Sequence, residues 1–492
     1  MTKSPFRAFA FGLSLASLLL PAAVTSAAQE RYLVVLDESQ TNSAANIRLI
    51  ESLGGKVERD HSEIGVLVVT SEEPDFARYT SQVTDISLIK RQETLKTDWS
   101  AEGQRALGST VLGVSGPPTP LDNASGPALS HQARADGERP DPSTLPGFFL
   151  QWNLSIMGLE EVWDLGHFGD PRVKVAVVGA GIDYLHPDLV DTVDLDLSKS
   201  FVPSDDILVE QLFPGAHPIA DLAFHSTFVA GQIACSLSIF ACIAPDVTLV
   251  GVKVLDLNEE GTIADLVSGI LYSASIGSDV IVLPFNYWGL ATSNEAKIYN
   301  WGNPEDLPEL IAVTRAILWA RIRGSVLVTE AAMTFEDNPI DADADGLDVI
   351  IPAQNGAIAV GASSSLDTWS TLSNFGFSLV DVAAPGGLRL EDGTFPPQEL
   401  IWGACSGFTQ SDPFRDSCAR ENQPQFAIII GPRTAASQAA GVAALISSRY
   451  QGRRHGFFVQ RKLIRTSVDI EAPGFDALTG HGRVDALRGV TE

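Results

Sequence analysis

The sequence predicts an α/β protein, a parallel β-sheet with helices on both faces, preceded by a smaller α+β domain. From about residue 150 onwards, short runs rich in β-branched residues alternate with longer helical segments, which is typical of parallel sheets. The short runs show no regular exchange of apolar and polar residues, as expected for strands that are buried on both faces. Ahead of them, a Pro-rich stretch follows a shorter group of strands and helices, so two domains are expected.

The composition is that of a soluble, acidic protein. The chain has 492 residues, 45% of them hydrophobic, which is enough for one large core and a small additional domain. Acidic residues outnumber basic residues by 61 to 33, giving a formal net charge of −28. Because a phosphate backbone is bound mainly by Lys and Arg, this charge argues against nucleic acid or an anionic membrane as a partner.

The first 28 residues have the pattern of a secretory signal peptide. An apolar segment, residues 8–20, follows Lys3 and Arg7 and is itself followed by small residues up to position 28. We therefore expect a secreted, extracellular protein without membrane contact once the signal is removed. The alternative is a retained membrane anchor, because no charge appears after Arg7 until Glu30.

Four cysteines in a secreted chain predict two disulfide bonds. Three pairings are open to four cysteines. We expect the pairing between residues close in sequence, Cys235 with Cys242 and Cys405 with Cys418. The alternative is four buried, free thiols.

Residues 29–96 are expected to form the small α+β domain. Three strands and two helices are predicted there, and Gly54-Gly55 ends the first helix. The predicted strands are Arg31–Leu36, Ile64–Val69 and Ile86–Ile89, and the predicted helices are Asn42–Leu53 and Pro74–Thr80.

Residues 97–148 are predicted to be a linker. Repeated prolines with interleaved glycine and serine prevent regular structure there. Two Asn-x-Ser triplets, at Asn123 in this segment and at Asn153 just beyond it, are candidate glycosylation sites. Such triplets also arise by chance.

Residues 149–492 are expected to form the large domain. Its predicted strands are Arg172–Val178, Thr248–Val254, Asp279–Leu283, Ser325–Thr329, Ala357–Gly361 and Leu379–Ala383. Its predicted helices are His225–Ala234, Ile263–Ile276, Leu307–Arg323, Arg433–Arg449 and Phe457–Thr466. The helix from Arg433 follows a Gly-Pro break and repeats alanines at helical spacing, so we expect it to be central and buried.

Several motifs make the large domain resemble the subtilisin-like serine peptidases, the subtilases. Residues 175–189 match the family's aspartate motif, and residues 224–231 match its His-Gly-Thr-His-Val-Ala-Gly motif. Gly431 and Gly441 fall without a gap on the two glycines of the family's Gly-Thr-Ser-Met-Ala-Ser-Pro-His-Val-Ala-Gly. Residues 380–386 follow its Val-Asp-Val-Ala-Ala-Pro-Gly. The resemblance implies the subtilisin-like α/β fold.

The small domain resembles the propeptide-inhibitor domain of the same family, including a Gly-Gly-Lys-Val run at residues 54–57. In the family this domain assists folding and then lies over the active site with its tail in the cleft. The resemblance therefore implies a ferredoxin-like prodomain that covers the chain's own cleft. The alternative is an unrelated small domain, because the shared motifs are short and apolar.

The catalytic positions of the family are altered in this chain. A serine peptidase needs a hydroxyl nucleophile, a base, a carboxylate that orients the base, and donors to the oxyanion. The resemblance places Gly179 at the triad aspartate, His225 at the triad histidine and Arg433 at the nucleophilic serine. His225 then has neither an orienting carboxylate nor a serine to deprotonate. Met333 takes the position of the oxyanion asparagine, and a thioether cannot donate a hydrogen bond.

The same comparison indicates structural roles for the two remaining polar residues. A guanidinium is not a nucleophile, so we expect Arg433 to make a structural ion pair and His225 to make a hydrogen bond. The hydroxyls nearest to Arg433 belong to Thr434 and Ser437, and neither lies at the third position of the motif.

The strand that lines the substrate cleft in the family, usually Asn-Met-Ser-Leu-Gly, corresponds to Val282–Asn286. Pro284 removes an N–H where the family pairs with an extended substrate. Pro284, Phe285 and Asn286 are therefore expected to line an altered cleft.

One acidic run has the start of a calcium loop. Asp341, Asp343 and Asp345 lie in an Asp-x-Asp-x-Asp-Gly sequence that offers oxygen ligands at alternate positions. Position twelve is Pro352 instead of a bidentate Glu. Calcium binding is one interpretation and a solvated acidic loop is the other. No other cofactor is predicted.

These replacements predict a secreted subtilisin-like pseudopeptidase whose cleft binds a peptide or protein without cutting it. The alternative within the enzyme class is an active serine endopeptidase that uses rearranged residues, for example His225 with a hydroxyl outside the motifs. A third interpretation is a folding or transport partner whose prodomain stays attached, because an inactive enzyme cannot cleave itself.

Overall fold

A computed structural model describes residues 29–37, 43–83, 85–97, 112–114, 139–288, 299–333, 339–344, 348–349, 351–390, 392–410, 418, 426–450 and 456–492. The predicted signal peptide, Asn123 and Asp345 lie outside these ranges. Within them, no helix combines the length and the apolar character that crossing a bilayer requires.

The small domain is a four-stranded antiparallel sheet with two helices. Its strands are β1 (Glu30–Leu36), β2 (Gly55–His61), β3 (Val66–Ser71) and β4 (Ile86–Arg91), and its helices are α1 (Ser43–Ser52) and α2 (Phe76–Thr80). The strand order is β2-β3-β1-β4. The sequence does not predict β2, because Gly-Lys-Val-Glu-Arg-Asp-His is mostly polar. Two short strands, β5 (Leu95–Thr97) and β6 (Leu112–Val114), follow.

The large domain is built on seven parallel strands, which confirms the predicted α/β class. The strands of the domain are β7 (Lys174–Gly179), β8 (Lys199–Ser200), β9 (Thr248–Lys253), β10 (Glu260–Gly261), β11 (Val280–Leu283), β12 (Tyr287–Trp288), β13 (Tyr299–Asn300), β14 (Val326–Glu330), β15 (Asp348–Val349), β16 (Ile358–Ser363), β17 (Val382–Pro385), β18 (Ile401–Ala404) and β19 (Phe426–Ile429). The seven parallel strands lie in the order β17-β16-β14-β11-β7-β9-β8.

Helices cover both faces of this sheet. They are α3 (Trp152–Ser155), α4 (Leu159–Asp164), α5 (Pro203–Leu212), α6 (His225–Ile233), α7 (Ile263–Ser275), α8 (Leu307–Ile322), α9 (Pro432–Arg449), α10 (Gly456–Arg465) and α11 (Ala486–Thr491). Alternate residues of β7 show the two layers: Val177 packs in the apolar cluster that contains α6 and α9, whereas Val178 packs in the cluster that contains α7 and α8. The strands are therefore buried on both faces, as their unbroken apolar runs predict.

The predicted helices of the large domain form at the predicted places, within a residue at each end. The predicted strand Leu379–Ala383 instead begins at Val382. The N–H groups of Leu379 and Val380 both donate to the carbonyl of Gly376 at 3.1 Å, so these two apolar residues close a turn before the strand starts.

The predicted absence of regular structure across residues 97–148 is wrong at β6. This strand pairs antiparallel with β19, and β19 pairs on its other side with β18. A run of three residues has little strand propensity of its own, so the open edge of β19 supplies the reason for it.

The cysteines pair locally, as expected. Cys235 joins Cys242 and Cys405 joins Cys418, with Cα–Cα distances of 5.8 and 5.5 Å. The proposal of a glycan at Asn153 is wrong for the folded chain. Asn153 lies in α3 and is fully buried, so its amide has no room for a sugar.

The two domains meet through paired charges and apolar contacts. The carboxylate of Asp265, at the start of α7, forms salt bridges with Arg31 at 3.0 Å and with Arg59 at 2.7 Å. Lys90 forms a salt bridge with Glu309 of α8 at 2.9 Å. Beneath these pairs, residues of β1 and β3 such as Leu33 belong to the same apolar cluster as α7 and α8. The small domain is therefore docked on the helical layer that α7 and α8 form on one face of the sheet.

This interface should weaken in acid because of His61. Its Nε2 atom lies 2.9 Å from Oγ of Ser268, and burial, with Arg59 nearby, lowers the pKa of His61 from 6.5 to about 4. Since the folded state resists protonation, this contribution to stability is complete above pH 6.5 and is lost as the pH falls towards 4. We expect the thermal midpoint to fall more steeply over this interval in the wild type than in His61→Gln. Parallel curves would contradict the assignment.

Candidate functional site

The candidate site lies at the carboxyl ends of the central strands, where open α/β sheets usually bind their ligands. Gly179 is the last residue of β7, Glu259 lies in the turn after β9, and Met333 follows β14. His225 begins α6, and Arg433 is the second residue of α9. The topology thus brings these five residues to one edge of the sheet.

His225 is buried and bonded to a carboxylate. Its ring nitrogen Nδ1 lies 2.8 Å from Oε1 of Glu259, and each of the two residues exposes 1% of its surface. The ring of Phe224 lies over the imidazole, with centroids 3.9 Å apart. The expectation that His225 lacks an orienting carboxylate is therefore wrong, because a carboxylate reaches it from outside the recognised motifs.

Glu259 is held in a closed turn between β9 and β10. Its N–H donates to the carbonyl of Asp256 at 2.9 Å, and the N–H of Asp256 donates to the carbonyl of Glu260 at 2.9 Å. The φ angle of Glu259 is +57°, a left-handed conformation that disfavours residues other than glycine. The side chain of Glu259 therefore reaches the site from a backbone conformation that is unfavourable for this residue.

Arg433 occupies the position that the resemblance assigns to the nucleophile. Pro432 precedes it in the first turn of α9, where the N–H that proline lacks is not needed. The Nη1 atom of Arg433 lies 3.0 Å from Oε2 and 3.3 Å from Oε1 of Glu259, and the residue exposes 2% of its surface. The ion pair expected for Arg433 is present, with Glu259 as its partner.

The charges of these three side chains follow from their contacts. Burial raises the pKa of Glu259, but Arg433 and His225 outweigh burial, so this pKa lies below its ordinary value. Burial lowers the pKa of His225, Glu259 opposes that effect, and Arg433 adds to it. At neutral pH the site therefore holds a carboxylate, a guanidinium and a neutral imidazole that donates its Nδ1–H to Glu259.

A serine hydroxyl fills the space beside Gly179. A Cβ atom added to Gly179 would overlap with Oγ of Ser226. That oxygen accepts the N–H of Ala180 at 2.8 Å. A side chain on β7 at this position is therefore excluded while Ser226 keeps its place.

Met333 brings an apolar side chain to the position of the oxyanion donor. It is buried and packs with Phe224, Phe228 and Cys405 in one cluster. A Cβ atom on Gly431, two residues before Arg433, would lie 3.3 Å from its sulfur. This side of the site is therefore closed by a thioether.

The two hydroxyls next to Arg433 serve the backbone. Oγ of Ser437 donates to the carbonyl of Thr434 at 2.6 Å, and Oγ1 of Thr434 donates to the carbonyl of Ile429 at 3.4 Å. Both residues are fully buried. Because each hydroxyl donates to a backbone carbonyl and not to His225, neither is positioned as a nucleophile.

The predicted cleft residues are buried in this structure. Pro284, Phe285 and Asn286 all lie in the interior. Phe285 joins the apolar cluster of α7 and α8, and Nδ2 of Asn286 donates to the carbonyl of Glu330 at 3.0 Å. Leu95 of β5 belongs to the same apolar cluster as Phe285, so this burial describes the site with β5 in place, and the cleft assignment stays a prediction. The chain pairs with β5 directly after these residues, at β12.

A three-stranded sheet lies at that point. β5 runs antiparallel between β10 and β12, with Leu95 opposite Gly261 and Thr97 opposite Tyr287. Pro284 thus does not prevent strand pairing, because the pairing residues lie three positions further along. The turn that carries Glu259 leads directly into β10, so the buried ion pair and this small sheet are adjacent in the chain.

The acidic run is used for backbone hydrogen bonds. The carboxylate of Asp343 accepts the N–H groups of Phe377 and Ser378, and that of Asp341 accepts the N–H of Asp343. Asp345 lies outside the described residues. Among the residues that the structure does describe, no group of three His, Cys, Asp or Glu side chains is arranged to hold a metal ion.

Two residues of the site were not identified from the sequence. Glu259 lies outside every motif, and the signal available for it was its position just after the carboxyl end of a predicted strand. Ser226 lies within a matched motif at a glycine of the family pattern. Its relation to Gly179 becomes visible only when β7 and α6 are placed side by side.

The chain is similar to known proteins of one family. The sequence model of the subtilase family matches residues 170–482. The chain is 26% identical to the thermophilic serine proteinase of Bacillus sp. (strain AK1), over 67% of this chain and 64% of that protein. It is 30% identical to the minor extracellular protease Vpr of Bacillus subtilis, over 35% of this chain and 19% of that protein. The aligned parts span less than two thirds of these relatives' lengths.

Solved structures show the same fold. The epidermin leader peptide processing serine protease (EpiP) from Staphylococcus aureus has a TM-score of 0.68 at 18% identity, covering 94% of this chain and 98% of that one. Fervidolysin from Fervidobacterium pennivorans, a keratinolytic enzyme related to subtilisin, has a TM-score of 0.62 at 18% identity, covering 94% and 61%. At this identity the likeness concerns the fold alone.

Proposed function

The chain belongs to the subtilase family, and from this premise we propose that it is a secreted, non-hydrolytic member that binds extended polypeptide without cutting it. One observation carries the proposal. Arg433 stands at the start of α9, at the nucleophile position, and is ion-paired there with Glu259. Secretion is supported by the signal pattern in residues 1–28 and by the extracellular relative Vpr.

The chemistry of the site supports the absence of hydrolysis. A guanidinium has no lone pair for attack on a carbonyl carbon and stays protonated in proteins. In subtilisin itself, loss of the nucleophile alone lowers turnover by about a millionfold. Met333 adds a second deficit, because its thioether offers the oxyanion no hydrogen bond.

The wild-type protein is therefore expected to stay unlabelled by a fluorophosphonate probe and to leave casein intact. The measurement is probe incorporation by intact mass, on a sample whose folding is shown by a cooperative thermal transition. An active subtilisin treated in parallel controls the probe. Labelling together with casein cleavage would refute the proposal.

Binding of extended polypeptide is supported by the pairing edges at β10 and β12. An extended peptide gains main-chain hydrogen bonds when it adds to such edges. Here β5 of the same chain occupies them, and Leu95 anchors it, being 1% exposed in the apolar cluster that includes Val254 and Leu255. The proposed ligand is thus a polypeptide segment that replaces β5.

Replacing Leu95 with Asp should free these edges, because a carboxylate is strongly disfavoured in an apolar cluster. We expect a labelled peptide with the sequence of residues 92–97 to bind the variant at least about tenfold more tightly than the wild type, measured by fluorescence anisotropy. Tyr79→Asp places the same charge on an exposed side chain and is the control. Equal affinities for the wild type and Leu95→Asp would contradict the proposed binding edges.

A further inference from the structure

We infer that Glu259 has taken over the role of orienting carboxylate that Gly179 can no longer supply, so that the site retains a positioned base without a nucleophile. The inference rests on the proposed function and concerns the hydrogen bond that orients His225. Glu259 is assigned as a positioning residue that acts through His225.

The first support is the atom that Glu259 contacts. In serine peptidases the carboxylate accepts the Nδ1–H of the histidine and so fixes its tautomer and orientation. Oε1 of Glu259 lies 2.8 Å from Nδ1 of His225, and both groups are buried. The imidazole is therefore held by the same ring nitrogen as in a working triad, although the carboxylate comes from the turn after β9 instead of the end of β7.

The second support is that the original route is closed. Oγ of Ser226 occupies the space that a side chain at Gly179 would need and is itself bonded to the N–H of Ala180 at 2.8 Å. The turn that carries Glu259 is closed by its own backbone hydrogen bonds, and Glu259 itself has the left-handed backbone conformation described above. The carboxylate that reaches His225 therefore comes from Glu259 and not from position 179.

The third support is the role of Arg433. Its Nη1 atom binds both carboxylate oxygens of Glu259 and opposes protonation of His225. Burial, with Glu259 nearby, raises the pKa of Asp221, in the segment before α6, to about 6. Removing Arg433 takes away a positive charge and leaves Glu259 bonded to His225, which favours the imidazole as a proton acceptor.

Replacing Arg433 with Ser, together with Met333→Asn, should therefore create a reactive hydroxyl. With a fluorophosphonate probe, the serine oxygen forms a bond to phosphorus while the phosphorus–fluorine bond breaks. Fluoride leaves with the electron pair, and the hydroxyl proton passes to the imidazole of His225. Met333→Asn adds a donor for the oxygen that becomes negatively charged.

The test compares three proteins: Arg433→Ser/Met333→Asn, the same with Glu259→Gln, and the same with Glu260→Gln as the matched control. We expect the first to be labelled, the Glu259→Gln version to react slower by about a hundredfold to ten-thousandfold, and the control to react within about twofold of the first. Equal rates with and without Glu259 would overturn the inference, as would a folded first variant that is not labelled.

A second measurement needs no rebuilt nucleophile. Nitrogen-15 NMR of histidine-labelled wild type should show His225 neutral and protonated at Nδ1, its signal being identified by its loss in His225→Gln. Protonation at Nε2 alone would overturn the inference even if no variant folds. Labelling of the wild type would instead refute the proposed function, so the two failures are distinguishable.

Discussion

Replacing Glu259 with Gln is expected to lower the free energy of unfolding by about 3–5 kcal/mol, measured by urea denaturation. The reason is burial: Arg433 exposes 2% of its surface, so its charge loses the carboxylate that compensates it and gains no water. Glu260→Gln changes a neighbouring, partly exposed carboxylate and should shift stability by no more than about 0.5 kcal/mol. A similar small shift for both variants would contradict a buried ion pair.

The companion variant Arg433→Met completes a double-mutant cycle. If the two charges compensate each other, Glu259→Gln/Arg433→Met should be more stable than the sum of the single effects predicts, by at least about 1 kcal/mol. Strictly additive effects would show that the two side chains are not energetically coupled.

Replacing Gly179 with Asp is expected to be at least as harmful, lowering the free energy of unfolding by about 3–5 kcal/mol. The new Cβ atom would overlap with Oγ of Ser226, and the new carboxylate would enter an interior that already holds Glu259. The measurement is again urea denaturation, with the soluble yield recorded as a second indicator.

Ser226→Gly supplies the control for that prediction. The double variant Gly179→Asp/Ser226→Gly removes the overlap and should recover about 1–3 kcal/mol relative to Gly179→Asp alone. Ser226→Gly by itself should destabilise modestly, because the N–H of Ala180 loses its acceptor. If single and double variants are equally unstable, steric exclusion by Ser226 is not the cause.

The fold could be predicted well where local sequence and burial agree. Pro432 marks the start of α9, and the apolar runs of β7, β9 and β11 predict strands buried on both faces. β2 and β6 could not be predicted, because β2 is mostly polar and β6 has only three residues. Each forms through its partner strand, which is the next strand, β3, for β2 and the distant strand β19 for β6.

The site was predictable only as far as the motifs extend. Matching glycines and apolar runs located Gly179, His225, Arg433 and Met333. No motif contains Glu259, and the distance from its carboxylate to His225 depends on the path of the chain after β9. The glycan predicted at Asn153 is excluded for a related reason, because whether a polar residue is exposed depends on packing, which the sequence alone does not show.

The strand β5 belongs to the same chain as the edges it occupies, and under the proposed binding function it would compete there with any outside polypeptide. A tethered segment competes at an effective concentration of about millimolar order, set by the connecting chain and not by the amount of protein. The apparent affinity of an outside segment for these edges is therefore its intrinsic affinity multiplied by the small fraction of molecules whose edges are vacant. Only abundant or tightly binding segments would displace β5, so the tether sets a threshold below which the protein stays closed to outside ligands.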